Sequence, residues 1–198
     1  SLAGLGVLSL SVSALRLHEI EEAEAGATTR RIALVQSNLE MTDVYTMLRQ
    51  KRSSLVNKYV ALSYEALEKD PDIDVFIWPE GALSGTPSSP YNRALLDFVE
   101  KHGVEVWTGG DDSRLNAQGK YGLYNAAFRV SGDGAVDTPY HKTILLPFGE
   151  FMPLADVFPI LNKIEGVGRF TPGDGIHMYQ APAGRFCFLT CYEAIRNE

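Results

Sequence analysis

Three reactive side chains in this sequence sit where β-prone runs end. Cys191 follows Phe186-Cys187-Phe188-Leu189-Thr190 and precedes Tyr192-Glu193-Ala194-Ile195. Glu80 follows Ile73-Asp74-Val75-Phe76-Ile77, within Trp78-Pro79-Glu80-Gly81. Lys142 closes Tyr140-His141-Lys142, after another β-prone stretch. A strand that runs into a helix at Cys191 places the thiol at a helix N-terminus, where the partial positive charge favours a thiolate. A carboxylate can take the thiol proton and return it to a leaving group. A compact ammonium can sit against a tetrahedral oxyanion. Carboxylate, ammonium and thiol at three strand ends make a site for acyl transfer through a thioester. Each residue also has a plainer reading: a turn glutamate, a solvated lysine, a buried structural cysteine. Cys187, inside the apolar run, takes that last reading.

The elements that must position these residues follow from periodicity and punctuation. Arg31 to Gln36 reads as a buried first strand, and Ile73 to Trp78 as a second. Val44 to Lys69 carries apolar residues at helical spacing (Val44, Leu48, Leu55, Val56, Tyr59, Val60) and closes at Asp70-Pro71. Tyr91 to His102 reads as a second helix stopped by Gly103, followed by a strand over Val104 to Thr108. Ser131-Gly132-Asp133-Gly134 is a turn signal between strands Tyr121 to Val130 and Ala135 to Tyr140. Ala181-Pro182-Ala183-Gly184 joins Ile176 to Tyr179 with Arg185 to Thr190 in a second hairpin. Residues 143–175, rich in Pro and Gly, read as loop. Early helices and later hairpins predict a mixed sheet with helices packed on one face. In such a strand His141 and Lys142 point to opposite faces, so a His141–Cys191 dyad and a Lys142–Cys191 pair are competing arrangements.

The chain has 198 residues, enough for one ordinary α/β domain. A net charge of −7 with no basic run argues against nucleic acid. The two cysteines make no disulfide framework, since four residues of strand would hold them about 13 Å apart. His18, His102, His141 and His177 show no metal spacing, and no cofactor motif is present. Residues 1–15 are uncharged and mostly apolar. They fall short of the roughly 20 residues that span a bilayer. The tail of a transmembrane helix, a signal-peptide core and a buried helix all fit them. Residues 16–30 read as a linker.

Trp78-Pro79-Glu80, the run from His141-Lys142 to Pro147-Phe148-Gly149-Glu150-Phe151-Met152-Pro153, and Cys191-Tyr192-Glu193 resemble the carbon-nitrogen hydrolase (nitrilase) superfamily. Within it, Pro-Phe-Gly-Glu-Phe after the lysine resembles the apolipoprotein N-acyltransferase branch. The resemblance covers Arg31 to Glu193. It implies an α/β fold, the α-β-β-α sandwich with mixed sheets, over a partial domain 31–198 whose C-terminal part is missing here. It implies Glu80 as base, Lys142 as oxyanion stabiliser and Cys191 as nucleophile, with no metal and no cofactor. Glu150, Glu193, Tyr192 and Asn125 match supporting positions. Glu150 would orient Lys142 or hold the Glu80 proton, or form only a loop salt bridge. Glu193 would be a helix-dipole partner or a catalytic aid, Tyr192 an N–H donor to the oxyanion, and Asn125 a site residue or a plain β-ladder side chain. The implied reaction moves a phospholipid acyl chain to the amine of a diacylglyceryl lipoprotein. The implied place is the bacterial inner membrane, with the domain on the periplasmic side, and residues 1–15 then become the tail of a transmembrane helix. The amphipathic stretch Phe151 to Ile164 fits a lipid-facing lid as well as a core-covering loop. A soluble amidase or nitrilase of the same superfamily, and a catalytically inactive binding module, are the alternatives.

Overall fold

In the computed structural model the described residues are 2–27, 29–115, 119–155, 157–164, 166–182 and 184–195. Thr28 of the expected linker and Ala183 of the second hairpin's turn lie outside them, as do the side chains of residues 1–11. The chain forms two compact units, Ser1–Arg30 and Arg31–Glu198. The first is one helix, α1 (Leu2–Ala25), which extends through much of the segment expected to be a linker. The pairs Arg16–Glu19 at 2.9 Å and His18–Glu22 at 3.4 Å lie along its exposed acidic half. Among the described residues, no helix is long and apolar enough to cross a membrane.

The second unit is built on a five-stranded mixed sheet. Strands β1 (Ile32–Leu34), β2 (Val75–Ile77) and β3 (Glu105–Leu115) run parallel. Strands β4 (Tyr121–Val130) and β5 (Tyr140–His141) continue it antiparallel. Helices α2 (Met41–Gln50) and α3 (Ser54–Lys69) connect β1 to β2, and α4 (Arg93–His102) connects β2 to β3. α4 buries Leu95, Phe98 and Val99 at i, i+3 and i+4 and ends at Gly103, whose φ of +66° needs a residue without Cβ. Those side chains meet Leu55, Val56 and Tyr59 of α3 and Phe76, Val106, Phe128 and Val130 of the sheet.

The other sheet face is covered by an antiparallel hairpin, β6 (Tyr179–Ala181) with β7 (Gly184–Phe186). Trp107 of β3 stacks on Phe186 with ring centroids 4.1 Å apart, and Phe188 meets Trp107, Tyr140 and Tyr179. Alternation along β3 thus sends Val106 and Thr108 to the helices and Trp107 and Gly109 to the hairpin.

The expected helix over Val44 to Lys69 is two helices. Lys51 is extended, with φ −159° and ψ 121°, and Lys51-Arg52-Ser53 offers no apolar side chain to bury. The last expected strand stops at Phe186, so Cys187 to Thr190 are not strand. Residues Ala135 to Tyr140 contribute a single bridge, Val136 to Val130, before β5. β3 runs seven residues beyond Thr108, because Gly109 to Leu115 pair in full with β4.

Candidate active site

Glu80 stands three residues past β2. Trp78 anchors this corner: it is 2% exposed, stacks on Tyr59, and donates from Nε1 to Ser63 Oγ at 3.0 Å. Gly109 of β3 grips the loop from both sides, its N–H donating to Pro79 O and its carbonyl accepting from Leu83 N. A Cβ on Gly109 would lie 2.7 Å from Glu80 Cα, so only glycine lets the carboxylate loop cross the strand there.

Lys142 follows β5, and its N–H donates to Asn125 O at 2.9 Å. The side chain is 1% exposed, and Nζ lies 2.8 Å from Glu150 Oε1 and 3.6 Å from Glu80 Oε1. Asn125 Nδ2 donates to Glu80 Oε1 at 2.5 Å and to Glu150 Oε1 at 2.8 Å. Asn125 is therefore more than a ladder side chain. One amide and one ammonium bridge two carboxylates brought from separate loops. Burial alone would lower the Lys142 pKa, but the Glu150 hydrogen bond and the charges of Glu80, Glu150 and Cys191 hold it above the ordinary lysine value. Burial likewise pushes Glu150 up, and it is outweighed by Lys142, the Leu146 N–H and Asn125, which hold the carboxyl below its usual range.

Cys191 is exposed and heads a five-residue 3-10 turn, Cys191–Ile195. Its φ of +50° is left-handed, uncommon for a residue with a Cβ. The expected strand-to-helix placement is corrected here: no strand leads into the thiol, and the turn is too short for a helix dipole to act on it. The Lys142 ammonium is close enough to the thiol to be coupled to it by charge. Cys191 and Glu80 line one pocket of about 380 Å³ with Trp107, Thr108 and Leu189. Cys187 lines it too and is exposed, contrary to its expected burial, because the strand that would have buried it ends one residue earlier.

Glu193 holds this turn against the Lys142 loop. Its Oε1 accepts from Tyr140 OH (2.7 Å), Thr143 N (2.7 Å), Thr143 Oγ1 (2.9 Å) and Ile144 N (3.1 Å), and its Oε2 accepts from Thr190 N (2.9 Å). Burial raises this carboxyl's pKa, and the Tyr140 hydroxyl and the N–H groups of Thr190, Ile144 and Thr143 outweigh it and hold it low. Tyr140, in exchange, is pushed up to about 12 by burial and by Glu193. Tyr192 lies between the thiol and this clamp. Tyr140 and Thr143 escape sequence reading because nothing in a lone tyrosine or threonine announces a partner fifty residues away. Gly109-Gly110 inside a strand was the available signal for close backbone approach.

His141 faces away from Lys142, as alternation requires. Its Nε2 lies 2.8 Å from Asp112 Oδ2, and its ring stacks on Tyr124 at 4.2 Å. Among the described residues, no group of three or more His, Cys, Asp or Glu side chains is placed to hold a metal ion.

Against known proteins, the family model described as carbon-nitrogen hydrolase matches residues 31–198. The chain belongs to that family. Its curated relatives include apolipoprotein N-acyltransferases. That of Geobacter metallireducens is 28% identical over 97% of this chain and 36% of its own length. That of Brucella suis is 32% identical over 73% of this chain and 29% of its own. The chain spans about a third of the length of the curated relatives it matches. Among solved structures, Saccharomyces cerevisiae Nit3, of the nitrilase superfamily, superposes with a TM-score of 0.54 at 16% identity, over 82% of this chain and 57% of its own. A carbon-nitrogen hydrolase from Helicobacter pylori gives 0.51 at 17% identity, over 79% and 49%. These likenesses show the nitrilase-superfamily α/β fold.

Proposed function

We propose that this chain carries the catalytic centre of an apolipoprotein N-acyltransferase. Glu80 takes the Cys191 thiol proton as sulfur attacks the ester carbonyl of a phospholipid. Lys142, with the Tyr192 N–H, stabilises the tetrahedral oxyanion. Collapse breaks the ester C–O bond, Glu80 returns the proton to the departing glyceryl oxygen, and a Cys191 thioester remains. The α-amine of a diacylglyceryl lipoprotein then attacks that thioester. The C–S bond breaks, the amide forms, and the amine proton passes by way of Glu80 to the sulfur. Glu150 orients Lys142, Asn125 holds Glu80 and Glu150 together, and Glu193 sets the Cys191 turn. The reading places the enzyme in the bacterial inner membrane with residues 31–198 on the periplasmic side. It also reads residues 1–15 as the tail of a transmembrane helix and 16–30 as the connection to the domain.

The observation that carries the reading is the convergence of Asn125, Lys142 and Glu150 on Glu80, which lines one pocket with Cys191, in a chain whose curated relatives include N-acyltransferases. The test incubates full-length protein with a phospholipid and maps adducts by mass spectrometry. A diacylglyceryl peptide is then added as acceptor. An acyl mass on Cys191, discharged to the peptide amine, is expected. Discharge to water at the same rate with and without peptide would make the protein a hydrolase. A wild-type Cys191 that never acylates would remove the reading altogether.

A further inference from the structure

A second cavity adjoins the site and takes no part in the proton and charge relay. It measures about 600 Å³, within the range of roughly 300–1,000 Å³ usual for small-molecule sites. Its walls are mostly apolar, with Ile144, Leu145, Phe151, Met152 and Phe170 contributing, and Arg169 is the one charged lining residue among the described residues. It shares its frame with the catalytic loops. Thr143, Ile144 and Leu145 follow Lys142 directly in the chain, and Phe151 follows Glu150. Phe170 N donates to Glu150 O at 3.0 Å, and Gly168 N to Gly149 O at 2.7 Å, so the far wall is tied to the Glu150 turn. Gly168 packs so close that an added Cβ would sit 3.0 Å from Glu150 O.

The segment that borders this cavity exposes large apolar side chains: Phe148 (67%), Leu154 (65%), Val157 (66%) and Ile160 (65%). Apolar exposure repeated along one segment suits contact with an apolar phase or ligand. An apolar cavity with a single guanidinium fits an amphiphile with an aliphatic body and an anionic head. A guanidinium matches a phosphate in bidentate geometry, and aliphatic chain fills an apolar wall without leaving polar groups unpaired.

We propose that this cavity is the donor subsite, holding the acyl chain of a phosphate-bearing lipid with Arg169 on its phosphate. This rests on the acyl-transfer reading and adds to it a place for the donor chain and a source of chain-length selectivity. The cavity walls set the length, and Arg169 sets the preference for a phospholipid over a neutral ester.

The experiment measures kcat/KM for acylation of Cys191 in the full-length protein. Donors are dioctanoyl and dipalmitoyl phosphatidylglycerol in mixed micelles, and the octanoyl and palmitoyl esters of p-nitrophenol, which lack phosphate. Ala155→Trp fills the cavity. Each methylene shut out weakens binding about fourfold, so the palmitoyl-to-octanoyl ratio is expected to fall at least about tenfold for both donor classes. Met152→Ala enlarges the cavity and should move the ratio the other way, which keeps the test alive if the tryptophan variant does not fold. Arg169→Gln should slow acylation by phosphatidylglycerol about tenfold and leave the p-nitrophenyl esters unchanged. Unchanged length ratios in both cavity variants, with Cys191 still acylated and discharged to amine, would overturn the subsite and leave the acyl-transfer reading intact. Equal loss on both donor classes in Arg169→Gln would overturn the phosphate assignment. A wild-type Cys191 that no donor acylates would sink the reading and the subsite with it.

Discussion

Lys142 is a fully enclosed cation held between two carboxylates, and such a charge is tolerated only when it is paired and hydrogen-bonded. Removing it takes away the counter-ion of Glu150 and, on the proposed mechanism, the oxyanion partner. Lys142→Ala should therefore lose at least about two orders of magnitude in acylation rate, the scale of losing a principal oxyanion donor. His141→Ala should lose far less, because His141 turns its ring to Asp112 on the opposite sheet face. A dead His141→Ala beside an active Lys142→Ala, in the same thioester assay, would reverse those roles. Cys191→Ala should abolish the acyl adduct and Cys187→Ala should retain it, although both thiols line the pocket. Glu193→Gln is a sharper probe. Its Oε1 accepts four hydrogen bonds, and an amide NH₂ placed there would face donors. A loss of about 1–3 kcal/mol in unfolding free energy is expected, together with a drop in the Cys191 acylation rate.

At the scale of elements, the site depends on how closely the loop after β2 crosses β3. Gly109→Ala places a methyl 2.7 Å from Glu80 Cα, and the backbone there cannot yield as a side-chain tip would. The carboxylate must move, and a displacement of about 1 Å is enough to cost on the order of a hundredfold in rate. Gly132→Ala is the matched control. Its Cβ would lie 2.5 Å from Gly103 O, two residues past the end of β4 and seven from Asn125. Both variants should unfold at lower temperature. Only Gly109→Ala should lose acylation out of proportion to its stability, and equal activity losses in the two would refute the crossing argument.

Across the whole domain, acid should act in two stages. His141 is held below 6.5 chiefly by burial, with the Arg114 charge adding to the effect and Asp112 opposing it. Its folded pKa lies below its unfolded one, so the unfolded chain binds the proton first. Stability on this account is complete above about pH 6.5 and falls as pH drops toward the folded value. His102 shifts in the same direction. Glu150 and Glu193 are depressed carboxylates, whose contribution is present above 4.5 and is lost as pH falls through their folded values. Denaturant midpoints across pH 3 to 8 should show both stages. His141→Gln should shrink the upper stage to the His102 share, and an unchanged upper stage would refute the assignment.

What the sequence determined by itself was local. Apolar spacing in Leu95, Phe98 and Val99, with Gly103 after them, specifies α4, because periodicity and a left-handed stop act within one turn of chain. Ile73 to Trp78, of which Val75–Ile77 is strand, and Tyr121 to Val130 read as strands for the same kind of reason. The motifs singled out Glu80, Lys142 and Cys191 as candidates, and the opposed orientation of His141 and Lys142 follows from the two-residue period of a strand. Tertiary structure decided the rest. The Lys51-Arg52-Ser53 break divides a helix that apolar spacing alone would have joined, because those three residues have no apolar side chain to bury. The strand before Cys191 ends at Phe186, where Phe186 and Phe188 commit to Trp107 and Tyr140. The Glu193 clamp and the Asn125 bridge join residues 25 to 53 positions apart. Such contacts exist only once the sheet has set its register, because a hydrogen bond needs its partner within about 3 Å and sequence separation carries no such distance.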